Sequence, residues 1–169
     1  KGTFIVENPE DAASVVEHIN KNNFSKVAII SQTTMSVTGY KELIQNINNI
    51  LGNKFENLHL SLKDMSIPYV FVDTICNPTK QRQSDTEEIA KKADVMVVIG
   101  GKNSSNSKEL AAKSKELGVE TYFIQSADQV KKYWFDGKEH IGVTAGASTP
   151  DVTINEVVEK IKEMANRNQ

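Results

Sequence analysis

A short apolar run that leads through two glycines into a polar loop constrains the fold of this chain more than any other stretch. Residues 95–99, Val-Met-Val-Val-Ile, are apolar and mostly β-branched, which predicts a buried strand of a parallel sheet. Gly100 and Gly101 follow, then small polar residues, and from about Ser107 the apolar spacing predicts a helix. The polar loop therefore joins the carboxyl end of a strand to the amino end of a helix.

This loop has the features of an anion-binding site. The free N–H groups and the dipole at a helix amino terminus favour negative charge, and Ser104, Ser105 and Asn106 add uncharged side-chain donors. A helix cap needs only one such residue, whereas residues 103–107 supply five in succession. This excess of polar residues over what a cap requires favours a bound ligand, and simple helix capping remains the alternative.

The composition limits the class of protein. A length of 169 residues allows one domain or two small ones, and 38% hydrophobic residues are sufficient for a packed core. The net charge of -2 gives no electrostatic basis for nucleic acid or an acidic membrane surface, so we expect neither partner. A single cysteine excludes an internal disulfide, which favours a cytoplasmic location. The chain does not begin with methionine, which suggests a fragment or a processed protein.

Strands and helices alternate along the whole chain. Strands are predicted at 3–6, 26–31, 68–75, 95–99, 121–124 and 140–144. Helices are predicted between and after these strands: after Asn8, from Ser107, after a cap at Ser126, and after Pro150.

Two further helices are predicted in more detail. One stops at Gly52 and has an apolar stripe of Tyr40, Leu43, Ile44, Ile47, Ile50 and Leu51. The other covers 80–93, is capped by Thr79, and turns Ile89 and Ala90 inward. Leu58, Leu60 and Leu62 alternate with polar residues and predict an additional edge strand.

This alternation predicts an α/β fold of two small three-layer α/β/α modules with mainly parallel sheets, the first of them incomplete. We expect residues 1–73 to form the partial module and residues 74–169 the second. The region between them contains no low-complexity linker, so a close hinge is expected.

Polar residues follow four of the predicted strands, at 32–34, 76–79, 103–106 and 145–149. In an open α/β sheet the ligand crevice lies beyond the carboxyl ends of the strands. A rim of hydroxyl, amide and N–H donors suits a phosphate or diphosphate. Four unrelated helix caps remain an alternative. Cys76 by itself is compatible with a small buried residue, because one thiolate cannot hold a cluster.

These loops resemble those of one known family. The matching segments are Ser-Gln-Thr-Thr-Met-Ser-Val at 31–37, Asp-Thr-Ile-Cys-Asn-Pro-Thr at 73–79 with Arg82-Gln83, Gly-Lys-Asn-Ser-Ser-Asn-Ser at 101–107, and Gly-Val-Thr-Ala-Gly-Ala-Ser-Thr-Pro at 142–150. They occur in the order found in the 4-hydroxy-3-methylbut-2-enyl diphosphate reductases, also called LytB proteins, and the last two are highly specific. The resemblance spans nearly the whole chain but only the carboxyl-terminal part of the family's length, and it implies the second and third of three α/β modules.

The resemblance also implies a function. Enzymes of this family reductively remove a hydroxyl from an allylic diphosphate and give isopentenyl and dimethylallyl diphosphates. They use a 4Fe–4S cluster and electrons from a ferredoxin or flavodoxin. The site residues implied by resemblance are Cys76 as one of three cluster cysteines, Ser104, Ser105, Asn106 and Ser148 as donors to the diphosphate, and Thr33 near the substrate hydroxyl.

Several parts of the family pattern have no counterpart here, namely two cluster cysteines, the catalytic glutamate and the histidines that line the substrate. We therefore expect this chain to bind no cluster alone and to be inactive alone. The exposed sheet edge of an incomplete first module would favour self-association. Two alternatives remain: a non-enzymatic α/β module that binds phosphate or diphosphate, and a protein that completes a cluster with another chain.

Overall fold

The computed structural model describes residues 3–6, 8–54, 56–57 and 69–165, with 56–57 described by their backbone only. The chain forms two compact units, Lys1–Ile75 and Cys76–Gln169. Each unit contains one sheet of three parallel strands, which confirms the predicted α/β class. The module boundary after residue 73 and the assignment to the second and third modules of the family stay predictions. Among the described helices, none has the length and apolar character required to cross a membrane.

The first unit is built on strands β1 (Val27–Ile30), β2 (Glu56–Asn57) and β3 (Tyr69–Val72), in the order β1-β3-β2. A 3-10 turn leads into helix α1 (Ala12–Asn22), and helix α2 (Val37–Leu51) follows β1. Helix α2 begins where the Ser36 hydroxyl accepts a hydrogen bond from the Gly39 N–H at 3.1 Å. It ends at Gly52, whose φ of 72° is the left-handed conformation that glycine adopts without steric cost. The sequence predicted this stop.

In the described part of the first unit, both helices lie on the same face of the sheet. Their buried side chains pack with Val27, Ile29, Tyr69 and Phe71, which share that face; the buried set is Ala12, Val15, Val16, Ile19, Leu43 and Ile47. Side chains alternate across a strand, and Ile30 on the opposite face is 70% exposed. The first unit is therefore two-layered over the residues described.

The second unit has three layers. Strands β4 (Val95–Ile99), β5 (Glu120–Ile124) and β6 (Ile141–Ala145) take the order β5-β4-β6. Helices α3 (Asn77–Ala90), α4 (Ser105–Glu116) and α5 (Asp151–Ala165) surround them. Val95, Val97 and Ile99 pack in a cluster with α5, whereas Val98 packs with Leu110 and Ala111 of α4 on the other face. Every side chain of the central strand β4 is buried, as its apolar run predicts.

Some predicted features differ from the structure. Residues 3–6 are not a strand, because no described strand pairs with them and an extended segment needs a ladder partner. Ile50 was predicted on the buried stripe of α2 but is 53% exposed, because it lies at the margin of that stripe in the last turn of the helix. The edge strand predicted from Leu58, Leu60 and Leu62 lies outside the described residues.

The start of α3 was also predicted wrongly. The helix begins at Asn77 with Cys76 as its N-cap, whereas Thr79 lies within the first turn and is only 1% exposed. Pro78 in the first turn explains the earlier start, because proline is well suited to that position. Ile89 is 37% exposed, so of the pair predicted to face inward only Ala90 is fully buried. Helix α4 begins at Ser105, two residues before the predicted start, and the segment after Ser126 forms two 3-10 turns.

Candidate functional site

The loop after β4 ends in a serine that caps α4. Ser104 has extended backbone angles, and its Oγ accepts hydrogen bonds from the Ser107 N–H at 3.3 Å and the Ser107 hydroxyl at 2.9 Å. The Ser104 N–H donates to the Gly101 carbonyl at 2.9 Å, which closes the loop into a turn. Ser104 is half-buried and Ser105 is exposed, so both hydroxyls are accessible beside the amino end of α4.

Asn106 is the most unusual residue of this loop. Its side chain is buried at 3% exposure, and in the described part of the chain neither Nδ2 nor Oδ1 has a hydrogen-bond partner. An unpaired buried polar group costs about 1–3 kcal/mol, so such groups mark places where a partner is expected. The pattern predicted Asn106 as a donor, and its burial without a partner is consistent with a ligand at this helix terminus.

The loop after β6 lies against the end of β4. The Gly146 N–H donates to the Ile99 carbonyl at 3.0 Å, and the Thr149 hydroxyl donates to the same carbonyl at 3.1 Å. Ser148 lies between these two residues in the chain and is exposed. The structure therefore brings the loops that carry Ser104 and Ser148 to one edge of the second sheet.

Cys76 belongs to the same unit and caps α3. This helix runs into β4 through a short turn, so its amino end lies at the edge where the parallel strands end. The Cys76 Sγ lies 3.1 Å from the Thr79 Oγ1. The hydrogen bonds from the Thr79 hydroxyl and N–H, together with the charge of Arg82, lower the pKa of the Cys76 thiol and favour the thiolate.

Thr33 lies in the first unit, in the turn that follows β1. The Met35 N–H donates to the Gln32 carbonyl at 3.1 Å, so Thr33 occupies the corner of this turn, with an exposed side chain. The Thr74 hydroxyl lies 3.1 Å from the Ser31 hydroxyl and accepts from the Ser31 N–H at 2.9 Å. These bonds tie the carboxyl ends of β1 and β3 together beneath the turn.

The metal-binding capacity of the described residues is small. They contain no group of three or more His, Cys, Asp or Glu side chains that could hold an ion. Cys76 fits the role of one thiolate ligand, because its thiol is partly accessible and its pKa is lowered. A cluster with several cysteine ligands would need the others from elsewhere.

Comparison with known proteins assigns the family. The family model described as LytB protein matches residues 1–162. The chain belongs to the LytB protein family. Relatives named 4-hydroxy-3-methylbut-2-enyl diphosphate reductase include that of Nautilia profundicola, 39% identical over 82% of this chain and 45% of the relative, and that of Aquifex aeolicus, 36% identical over 95% and 48%. The relative from Colwellia psychrerythraea is 40% identical over 95% of this chain and 47% of its own.

Solved structures agree with this LytB assignment. One is the structure of (E)-4-hydroxy-3-methyl-but-2-enyl diphosphate reductase, described as the terminal enzyme of the non-mevalonate pathway. It is 36% identical to this chain with a TM-score of 0.54, and the match covers 94% of this chain and 49% of that one. The reductase from Plasmodium falciparum, 24% identical with a TM-score of 0.75 over 93% of this chain and 44% of that one, shares the fold. The LytB chain described here thus spans about half the length of the relatives it matches.

Two features of this LytB site were not predicted. The sequence pattern predicts only that Ser107 begins a helix, whereas the structure shows that it is fully buried and hydrogen-bonded to Ser104. Thr149 connects the loop after β6 to β4 through Ile99. The available signal was the pair of small-residue segments at 100–107 and 145–149, because closely packed backbones require small residues.

Proposed function

We propose that this chain is the part of a LytB reductase that holds the diphosphate of the substrate. The observation that carries the proposal is the Asn106 amide, which is buried and lacks a partner among the described residues. A diphosphate at the amino end of α4 would accept from this amide and from the free N–H groups of the first helical turn. The Ser104, Ser105 and Ser148 hydroxyls would complete the set of donors.

In the whole protein we infer the reaction that the relatives' names describe, the reduction of 4-hydroxy-3-methylbut-2-enyl diphosphate. The substrate hydroxyl leaves as water, and the products are isopentenyl and dimethylallyl diphosphates. Ferredoxin or flavodoxin would provide the electrons in the cytoplasm, protons from water would complete the loss of the hydroxyl, and a 4Fe–4S cluster would supply the redox chemistry. Cys76 would hold one iron through its thiolate, and the Thr33 hydroxyl would bind the substrate hydroxyl.

The direct test is a calorimetric titration of this chain with the organic diphosphate and, separately, with inorganic diphosphate. We expect Ser104→Ala and Asn106→Ala each to weaken binding by about 1–3 kcal/mol, because each removes a donor to a charged oxygen. Ser126→Ala is the matched control, since this serine begins a 3-10 turn elsewhere in the same unit without a side-chain capping bond. A folded wild-type chain that binds neither ligand would refute the diphosphate site.

A non-enzymatic module that binds diphosphate is the second candidate, supported by the lack of a group of metal ligands among the described residues. Thr33 separates the two candidates, because only the reductase requires contact with the substrate hydroxyl. The reductase predicts that Thr33→Val weakens binding of the organic diphosphate and leaves inorganic diphosphate unchanged. Thr34→Val, in the same turn, is the control. Equal binding of both ligands by Thr33→Val and wild type would favour the simple module.

We also infer self-association through the first unit when this chain is alone. Strand β1 ends its sheet over the described residues, and Ile30 on the open face is 70% exposed. Exposed apolar side chains on an edge strand favour pairing with another chain. Sedimentation should show a concentration-dependent dimer that Ile30→Lys converts to monomer. Identical sedimentation of variant and wild type would exclude this surface.

A further inference from the structure

The Ser107 side chain makes a hydrogen bond that helix capping does not require. A cap consists of the Ser104 Oγ accepting from the N–H of the third helical residue, and the Ser107 N–H provides that bond at 3.3 Å. The Ser107 hydroxyl donates a second, shorter bond to the same oxygen, at 2.9 Å. Ser107 is fully buried, and its one hydroxyl proton already goes to Ser104, so unlike the Asn106 amide, which is unpaired among the described residues, it has no donor left for a ligand.

These two bonds determine what Ser104 can offer to a ligand. A serine hydroxyl carries one donor proton and two acceptor lone pairs. Because Ser107 donates twice to the Ser104 oxygen, the acceptor capacity of that oxygen is used. The remaining function of the Ser104 hydroxyl is to donate, and the charged oxygens of a diphosphate accept hydrogen bonds.

The packing around Ser107 holds its hydroxyl in this orientation. A Cβ atom added to Gly100 or to Gly146 would lie less than 3.0 Å from the Ser107 Oγ, closer than real Cβ contacts. The hydroxyl therefore occupies a slot between two backbones that only glycine leaves open. The Gly100 N–H donates to the Ile124 carbonyl at 2.9 Å and the Gly146 N–H to the Ile99 carbonyl at 3.0 Å, so both walls are fixed to the sheet.

We propose that Ser107 is a positioning residue of the anion site: it orients the Ser104 hydroxyl as a hydrogen-bond donor in the unliganded protein. The proposal rests on the proposed diphosphate function of the same loop. Ser107 contacts no ligand and acts only through the Ser104 hydroxyl. Preorganised donors bind an anion more tightly because no reorientation accompanies binding.

The test is a set of titrations with inorganic diphosphate on the full chain. Without Ser107 the Ser104 hydroxyl can take three staggered orientations, so Ser107→Ala should weaken binding about threefold to tenfold. The double variant with Ser104→Ala should bind no more weakly than Ser104→Ala alone, because Ser107 acts through that hydroxyl. Additive losses in the double variant would overturn the proposal.

Two further variants separate positioning from general loosening of α4. Ser114→Ala removes another fully buried hydroxyl of this helix, which donates to the Leu110 carbonyl at 2.9 Å, and should leave binding unchanged. Ser107→Cys keeps only a weak donor and puts a larger sulfur atom into the tight space beside Gly100 and Gly146, so it should bind inorganic diphosphate no more tightly than Ser107→Ala. Equal weakening by Ser114→Ala and Ser107→Ala would contradict the positioning role.

The outcomes distinguish this inference from the proposed function. A folded wild-type chain that does not bind inorganic diphosphate refutes the site itself. A wild-type chain that binds, with Ser104→Ala weakened and Ser107→Ala unchanged, leaves the site intact and refutes only the role of Ser107. The sole tryptophan of the chain, Trp134, is buried in the second unit, so its fluorescence establishes that each variant is folded there.

Discussion

The Ser107 hydroxyl occupies the space that a side chain on Gly146 would need. A Cβ atom on Gly146 would lie closer than 3.0 Å to the Ser107 Oγ but 3.3 Å from the Ser107 Cβ, so only the hydroxyl blocks it. On Gly100, an added Cβ would approach both the Oγ and, at 2.5 Å, the Cβ of Ser107. The two glycines are therefore required for different reasons.

This difference predicts selective rescue. Gly146→Ala should lower the free energy of unfolding by about 1–3 kcal/mol, as overpacking does. Addition of Ser107→Ala should recover most of that loss. The same second substitution should not rescue Gly100→Ala, which serves as the matched control. Chemical denaturation followed by Trp134 fluorescence gives the free energy of unfolding of each variant. Equal rescue at both glycines would contradict the conclusion that the Ser107 hydroxyl alone blocks a side chain on Gly146.

The alternation of apolar runs and polar loops was sufficient to predict the α/β class, because each run of β-branched residues needs burial and each loop needs solvent. The burial and capping roles of individual side chains were harder to predict. Ile50 satisfies the helical spacing of α2 but is exposed, because it lies at the margin of the buried stripe in the last turn of the helix. Thr79 was predicted to be a cap from its residue type, yet Cys76 takes that position.

In the candidate site, too, some residues could be predicted from the sequence and others could not. Ser104, Ser105, Asn106 and Ser148 could be selected from the sequence because small polar residues cluster after strands. The role of Ser107 could not, because it depends on Gly100 and Gly146, which approach it from two strands that are distant in sequence. Contacts of that kind follow from the sheet order and not from local pattern.

A second prediction concerns the packing of α3 on β6. The Thr86 and Thr144 hydroxyls lie 2.8 Å apart, and Thr86 is fully buried. Thr86→Val should lower the free energy of unfolding by about 1–2 kcal/mol, because the Thr144 hydroxyl loses its partner. The double variant with Thr144→Val should cost less than the sum of the single substitutions. Strict additivity in denaturation experiments would show that the two hydroxyls are not coupled.

A third prediction concerns acid stability. The Asp94 carboxylate accepts hydrogen bonds from the His140 and Glu139 N–H groups, each at 2.9 Å. These bonds, with smaller contributions from the charges of His140 and Lys138, lower the pKa of Asp94 below its ordinary value of 3.8. A carboxyl group with a lowered pKa stabilises the folded state above its unfolded pKa, and that contribution disappears as the pH falls through the folded pKa.

The comparison of wild type with Asp94→Asn isolates this contribution. We expect wild type to be the more stable at neutral pH and the difference to shrink as the pH falls below 3.8. Asp136→Asn removes one negative charge from an exposed residue of the same unit and is the control for net charge. A difference between wild type and Asp94→Asn that is constant across the acid range would contradict the assignment.

The last prediction concerns alkaline stability of the first unit. The Tyr40 hydroxyl donates to the Val72 carbonyl at 2.8 Å and lies 3.3 Å from the Ile29 carbonyl, so it joins the ends of β1 and β3. Burial, with the nearby charge of Asp73, raises the pKa of Tyr40 from 10.0 to about 12. At neutral pH, Tyr40→Phe should lower the free energy of unfolding by about 1 kcal/mol, the usual net value of one hydrogen bond.

The pH dependence of that loss has a defined sign. Above pH 10.0 the unfolded chain releases the Tyr40 proton while the folded chain retains it to about 12, so wild type loses stability that the phenylalanine variant does not. The advantage of wild type over Tyr40→Phe is therefore complete below pH 10.0 and decreases as the pH rises towards 12. Urea denaturation followed by far-ultraviolet circular dichroism measures it, and the other tyrosines cancel because both proteins contain them. A wild-type advantage that stays constant or grows with rising pH would mean that the Tyr40 hydroxyl is not held neutral by the fold.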